Sequence, residues 1–220
     1  MSDYPPEPWA LRGQLHASAF RVPLSEVAVE LPPGCAPVRV GKYGIIGTAW
    51  VSYEPGGVLS YRELMATLLV RRGRTVLPTI VRIWVDSEAS RDGGRALWGI
   101  PKDLARFRFD GDTFTAHDEN GPIASGTVRP RVPLPGRLPV TFSIVQWRNG
   151  TAKVSPVRSR ATVALSSATF GADPAGPLGF LAGRRPFASF TMRDFDMSFG
   201  RAPLGNADGV TFNGRDDESR

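Results

Sequence analysis

One cysteine (Cys35), two histidines (His16 and His117) and three lysines (Lys42, Lys102 and Lys153) are all that this 220-residue chain holds of these three residue types. A lone cysteine excludes an internal disulfide and suits a reducing compartment. With two histidines far apart in sequence it supplies no zinc-ligand spacing, so no metal and no cofactor are expected. No apolar run approaches the roughly 18 residues that a membrane helix needs. The acidic, proline-rich N-terminus lacks the basic-then-apolar pattern of a secretion signal. A cytoplasmic protein with no membrane attachment is the expectation.

Positive charge comes instead from arginine. Lys and Arg total 27 against 21 Asp and Glu, giving a net charge of +6. Nucleic-acid binders gather their basic residues into a patch, often interleaved with exposed aromatics. Here the arginines are scattered, and the densest group (Arg71, Arg72 and Arg74) falls in an apparent strand-to-strand turn. This distribution predicts a solvated basic face and no nucleic-acid partner, with long-range attraction for small anions.

Glycine (24) and proline (20) make up a fifth of the chain and punctuate many short apolar runs, a pattern of a mainly β protein. Candidate strands are 14–22, 43–53, 61–70, 75–85, 106–109, 114–117, 123–128, 140–147, 152–165 and 187–199. Several are nearly continuous in hydrophobicity, as strands covered on both faces should be. Asn120-Gly121 reads as a hairpin turn. Asp86 or Ser87 caps a short helical turn through Arg91, stopped by Gly93-Gly94. Residues 25–31 read as a second turn or, from Val27 and Val29, as strand, and 162–170 as short helix or strand. Residues 130–139, with four prolines, read as a loop. Length and the 41% hydrophobic content fit one domain over 1–212, with a polar, disordered tail over 213–220.

Within this frame, Lys102 stands out. It follows a Gly/Pro turn and sits among Trp98, Ile100 and Leu104 in a chain that otherwise avoids lysine. Arginine stays protonated, whereas a desolvated lysine can lose its proton and attack a carbonyl. An apolar pocket around Lys102 would pull its pKa down.

The run Gly94-Arg95-Ala96-Leu97-Trp98-Gly99-Ile100-Pro101-Lys102 resembles the signature of the acetoacetate decarboxylase family. Three further pieces fall in the family's order: Tyr4-Pro5-Pro6-Glu7-Pro8-Trp9, Tyr61-Arg62-Glu63-Leu64, and Trp84-Val85-Asp86-Ser87. The likeness covers about residues 4 to 200. It implies an α+β, mainly β fold in which a curved antiparallel sheet closes into a barrel or cone with a few short peripheral helices. It also implies a homo-oligomer and a small-molecule keto acid as substrate, bound as a Schiff base to Lys102 with no cofactor. Glu63 matches an acidic pocket residue and is the candidate acid/base. Trp98 is a candidate pocket wall.

The chain departs from the family pattern at three places. Asp103 stands where acetone-forming members have a second lysine, and a facing carboxylate there would hold the Lys102 ammonium charged. The family's pocket arginine falls near Gln14, with Arg12 two residues earlier; both are candidate substrate-binding residues. A second pocket acid finds only the Arg71-Arg72-Gly73-Arg74 turn. Arg95 reads chiefly as a brace across Gly93-Gly94, and Asp86 and Glu88 as capping residues. The expected activity is a lyase-type reaction, decarboxylation of an acetoacetate-like β-keto acid. Its alternatives are aldolase or dehydratase chemistry on the same imine, and a non-catalytic ligand-binding protein of the same fold.

Overall fold

Along the strand Tyr61–Arg72, Tyr61 and Met65 pack into one core while Leu64, Ala66, Leu68 and Val70 pack into another. Side chains alternate across a strand, so burial on both faces removes the polar alternation that a half-exposed strand would show. The computed structural model describes residues 3–201. In chain order its strands are β1 (Trp9–Pro23), β2 (Cys35–Pro37), β3 (Arg39–Val40), β4 (Tyr43–Glu54), β5 (Tyr61–Arg72) and β6 (Thr75–Val85). Then follow β7 (Lys102–Leu104), β8 (Arg106–Asp110), β9 (Thr113–Asp118), β10 (Gly121–Arg148), β11 (Thr151–Ala172) and β12 (Ala188–Phe199). Among the described residues there is one α-helix, α1 (Glu88–Trp98), between β6 and β7.

All the strands join one mainly antiparallel, curved sheet in the order β7-β6-β5-β4-β1-β12-β11-β10-β9-β8, with β2 on β5 and β3 on β4. Among the described strands the one parallel pair is β6 with β7, which the α1 crossover makes possible. The sheet stays open, with β7 and β8 at its ends. Its curvature brings β10 against β6, where a side chain substitutes for strand pairing. The carboxamide oxygen of Gln146 accepts from Ile80 N (2.7 Å) and Thr79 Oγ1 (2.9 Å), and its Nε2 donates to Ile80 O (3.1 Å). Gln146 is buried, so all of its polar atoms need these partners.

Several local expectations are corrected or decided. Residues 130–139 are strand, not loop: β10 runs through all four prolines, with register shifts between Pro130 and Val132 and between Pro133 and Arg137. Beyond Thr127 β9 no longer pairs with β10, so that edge asks for no N–H donors and proline is tolerated. Residues 162–170 are strand within β11, and of 25–31 only the end of a 3-10 turn, Leu24–Glu26, is helical. Helix α1 does not stop at Gly93-Gly94 but continues to Trp98. There Gly99, at φ 69°, ends it in the left-handed conformation. The two glycines allow close packing instead: a Cβ on Gly93 would lie 2.6 Å from the Trp9 ring, and one on Gly94 2.8 Å from Cδ of Lys102. The expected tail at 213–220, like the end of the domain at 212, lies outside the described residues. Among the described residues no helix is long and apolar enough to cross a membrane.

Candidate active site

Lys102 opens β7, where the strand alternates at once: Lys102 is buried, whereas Asp103 faces outward and is exposed. The carboxylate of Asp103 therefore misses the lysine. It accepts from Arg95 Nη2 instead, so Arg95 ties α1 to β7 rather than bracing its own turn. Two residues of β5 that share one face, Tyr61 and Glu63, point at the amine from the neighbouring side of the sheet. Ser90 reaches it from α1, four residues and so one helical turn before Gly94, whose missing side chain leaves room for the lysine stem.

Nζ of Lys102 donates to Glu63 Oε2 (2.8 Å), Ser90 Oγ (2.9 Å) and Tyr61 Oη (3.3 Å). An ammonium has three donors, and each has an acceptor. The Glu63–Lys102 pair is almost wholly removed from water, with side chains 2% and 5% exposed. Behind it, Tyr53 Oη donates to the other oxygen, Glu63 Oε1, at 3.2 Å. The Tyr61 ring lies 4.9 Å below the ammonium and adds a cation–π contact.

The electrostatics correct the expected depressed pKa. Desolvation is the largest single effect on Lys102 and does pull its pKa down. The Glu63 charge, with Tyr61 and the hydrogen bonds from both, outweighs it, so the net displacement is upward. Burial is present but not in apolar isolation, and the resting amine is an ammonium. Desolvation and the Glu63 charge push Tyr53 well above the ordinary tyrosine value. Burial also raises Tyr61, against the opposing Lys102 charge, so both remain phenols.

A cavity of about 50 Å³ adjoins these groups, walled by Trp9, Leu11, Ile83, Trp98, Ile100 and Phe199. Trp98 is held in this wall by an edge contact with Trp9 (4.8 Å), another with Phe199 (4.6 Å), and a hydrogen bond from its indole N–H to Glu7 Oε2 (2.7 Å). A much larger groove, about 900 Å³, opens on the outer side of β7 beside Asp103 and Arg95, and Lys102 does not line it.

The structure thus brings Lys102, Glu63 and Trp98 together and leaves two expected residues out. Arg12 is turned outward, more than half exposed, and bonds Asp196 at 2.7 Å. Gln14 follows the Gly13 irregularity in β1 and donates to Glu54 Oε1 at 2.9 Å. The reason is alternation: Trp9 and Leu11 face the cavity, which sends Arg12 to the opposite side. Asp86 accepts from Arg62 N, and Ser87 supplies the helix cap to Ser90 N. Sequence reasoning missed Tyr53, Tyr61, Ser90 and Trp9. Tyr61 was within reach, because the i, i+2 spacing to Glu63 sets both on one strand face.

Fold and site together describe a curved-sheet protein built around a buried lysine paired with an acid. Residues 1–164 match the acetoacetate decarboxylase (ADC) family, and the chain belongs to that family. Acetoacetate decarboxylase from Legionella pneumophila superposes with a TM-score of 0.67 at 17% identity, over 91% of this chain and 88% of that one. The enduracididine biosynthesis enzyme MppR, complexed with pyruvate, superposes at 0.64 and 15% identity, over 89% of each chain. An acetoacetate decarboxylase-like enzyme from Sphingomonas wittichii RW1 gives 0.60 at 11%, over 88% of this chain and 91% of that one. At these identities the likeness is one of fold. No curated protein sequence matches the chain.

Proposed function

We propose that this chain is a lyase-type enzyme whose first step is imine formation between Lys102 and the carbonyl carbon of a small substrate. The observation that carries the reading is a lysine amine 2.8 Å from a buried carboxylate, both lining one cavity with mostly apolar walls. Transfer of a proton from Nζ to Oε2 of Glu63 leaves a neutral amine beside a neutral acid. The amine adds to the carbonyl, one of its N–H protons passes to the new alkoxide, Glu63 returns its proton to the resulting hydroxyl, and water leaves. The product iminium keeps the positive charge of the former ammonium, and the restored Glu63 carboxylate balances it. The iminium then accepts an electron pair, from a bond to a carboxylate leaving as carbon dioxide or from an α-C–H bond. Family membership and the pyruvate bound by MppR support the keto-acid class. Decarboxylation of a β-keto acid is the outcome that the family's name favours, with aldol and dehydration steps as alternatives on the same intermediate.

A second reading, a ligand-binding protein without catalysis, draws on two observations. All three ammonium donors are occupied, and the cavity is small. Reduction with borohydride in the presence of keto acids, simple ketones and aldehydes, followed by peptide mapping, separates the two. The enzyme reading expects an adduct on Lys102 that is lost in Lys102→Arg, which keeps the charge and removes the nucleophile. No adduct with any carbonyl compound leaves the binding protein. Release of carbon dioxide from acetoacetate tests the decarboxylase form directly.

A further inference from the structure

Helix α1 carries three parts of the site: Ser90, whose hydroxyl meets the Lys102 amine, Gly94, which leaves room for the lysine stem, and Trp98 in the cavity wall. Whatever fixes the end of α1 therefore fixes that wall. The last carbonyls of a helix have no partner within it. Here Gly99 N donates to Arg95 O (3.1 Å), Arg148 Nε of β10 to Ala96 O (2.9 Å) and Lys153 Nζ of β11 to Leu97 O (2.8 Å). Two cations thus sit at the negative end of the helix dipole.

Lys153 also donates to Glu7 Oε1 at 3.0 Å, and the other oxygen of that carboxylate, Oε2, accepts from Trp98 Nε1 at 2.7 Å. Glu7 lies in the segment before β1, so one carboxylate joins that segment, β11 and the last residue of α1. The pair is partly shielded from water, with the Lys153 and Glu7 side chains 24% and 25% exposed. Backbone packs closely over the indole bond: a Cβ on Gly200, just after β12, would lie 2.9 Å from Glu7 Oε2 and 3.0 Å from Trp98 Nε1. Rotating the Trp98 ring out of the wall would break its edge contacts with Trp9 and Phe199 and leave a charged oxygen short of a donor.

We infer that Glu7, held by Lys153, is a positioning residue that sets specificity: it fixes the Trp98 ring as the wall that limits the size of the compound bound at Lys102. The inference rests on the imine reading above and deepens it. Glu7 stands behind the wall and acts through Trp98. One methylene too many in a filled apolar pocket costs about tenfold or more in rate, and a loosened wall removes that penalty.

The test uses the full chain and two keto acids of different bulk, pyruvate and 4-methyl-2-oxopentanoate. Each is trapped at Lys102 with borohydride, and each rate is divided by the compound's rate with Nα-acetyl-lysine. In Glu7→Ala the ratio of bulky to small should rise at least about tenfold, as it should in Trp98→Ala. In Glu7→Gln, whose amide oxygen still accepts the indole N–H, the ratio should stay near the native one. A merely structural Glu7 would slow both compounds alike, so an unchanged ratio in Glu7→Ala overturns the inference, as does an equal rise in Glu7→Gln. Should Glu7→Ala fail to fold, Glu7→Asp, which draws the carboxylate back by one methylene, replaces it with the same expectation. A second readout needs no imine: the indole N–H resonance of Trp98, identified by its loss in Trp98→Phe, should stay downfield in Glu7→Gln and move upfield in Glu7→Ala. An unmoved resonance in Glu7→Ala overturns the positioning role. Trapping by none of the keto acids, ketones and aldehydes removes the imine reading and the size effect with it, while the resonance still decides whether Glu7 holds Trp98.

Discussion

Replacing Glu63 by Gln isolates what the buried ion pair does. The variant keeps the shape of the side chain and removes the charge that holds Lys102 protonated. In the native protein, desolvation alone would depress the lysine pKa, but Glu63 and Tyr61 more than offset it. A group that binds its proton more tightly when folded than when unfolded adds stability below its unfolded pKa, here near the ordinary lysine value of 10.5. That contribution is lost as pH rises through the folded value. Without Glu63 the desolvation remains and nothing of comparable size opposes it, so the folded pKa falls below the unfolded one. The unfolded chain then binds more protons, and stability rises with pH until the ordinary lysine value is reached. The pH slope attributable to this site thus changes sign. At neutral pH the variant leaves a buried cation with neutral acceptors alone, Ser90, Tyr61 and the carboxamide oxygen at position 63. Breaking one side of such a pair costs about 3–5 kcal/mol, out of the roughly 5–15 kcal/mol that a domain commands. Urea denaturation followed by tryptophan fluorescence, at a series of values from about pH 7 to about pH 10, gives both numbers as differences from the native protein. A loss below about 1 kcal/mol at neutral pH, or a difference that does not shrink as pH rises, would refute the reading of Lys102 as a charged, Glu63-dependent group. Joint replacement, Glu63→Leu with Lys102→Met, should restore most of the loss, because apolar side chains in place of a buried pair are typically neutral or stabilising.

Four further outcomes follow from single contacts. Ser159 Oγ is buried and has no hydrogen-bond partner among the described residues, so Ser159→Ala should raise stability by about 1 kcal/mol in the same denaturation assay. Gln146→Met removes three buried hydrogen bonds between β10 and β6 and should cost about 3 kcal/mol, at about 1 kcal/mol per bond. Gly94→Ala puts a methyl group 2.8 Å from Cδ of Lys102; the flexible lysine stem will move first, so trapping at Lys102 should slow while the fold, measured by circular dichroism, survives. Burial, aided by the Arg193 charge and opposed by Asp112, lowers the His16 pKa to about 4, so its ring should titrate near there by NMR. The folded value lies below the ordinary 6.5, so this site's contribution to stability is lost as pH falls from about 6.5 toward 4.

Much of the architecture was legible because it depends on short-range chemistry. The central strands β4, β5 and β6 lie almost where their apolar runs predicted, and the β9–β10 hairpin turns at Glu119-Asn120, one residue before the expected Asn120-Gly121. What sequence missed depends on partners far along the chain. Four prolines argued for a loop at 130–139, and only the missing β9 neighbour explains how a strand accommodates them. Gly93 and Gly94 read as a helix stop, yet their purpose is space for Trp9 and Lys102, which arrive from β1 and β7. Arg12 and Gln14 were placed by counting along a likeness, and β1 alternation with the Gly13 irregularity turned both away from the cavity.

The site itself could have been read one step further. Glu63 is a carboxylate in a strand whose apolar pattern already required burial on both faces, and a charged group there must be paired. Candidate partners in the chain are cations inside other apolar segments, and Lys102, between Ile100 and Leu104, is the clearest. Pairing the two gives the ion pair before any coordinates. From that pair follows the consequence that composition concealed: a lysine chosen for its burial is charged at rest because its carboxylate is buried with it. On the proposed imine reading, chemistry at Nζ begins with a proton passing to Glu63 along the 2.8 Å hydrogen bond, and the carboxylate that holds the ammonium then serves as the acid for the departing oxygen.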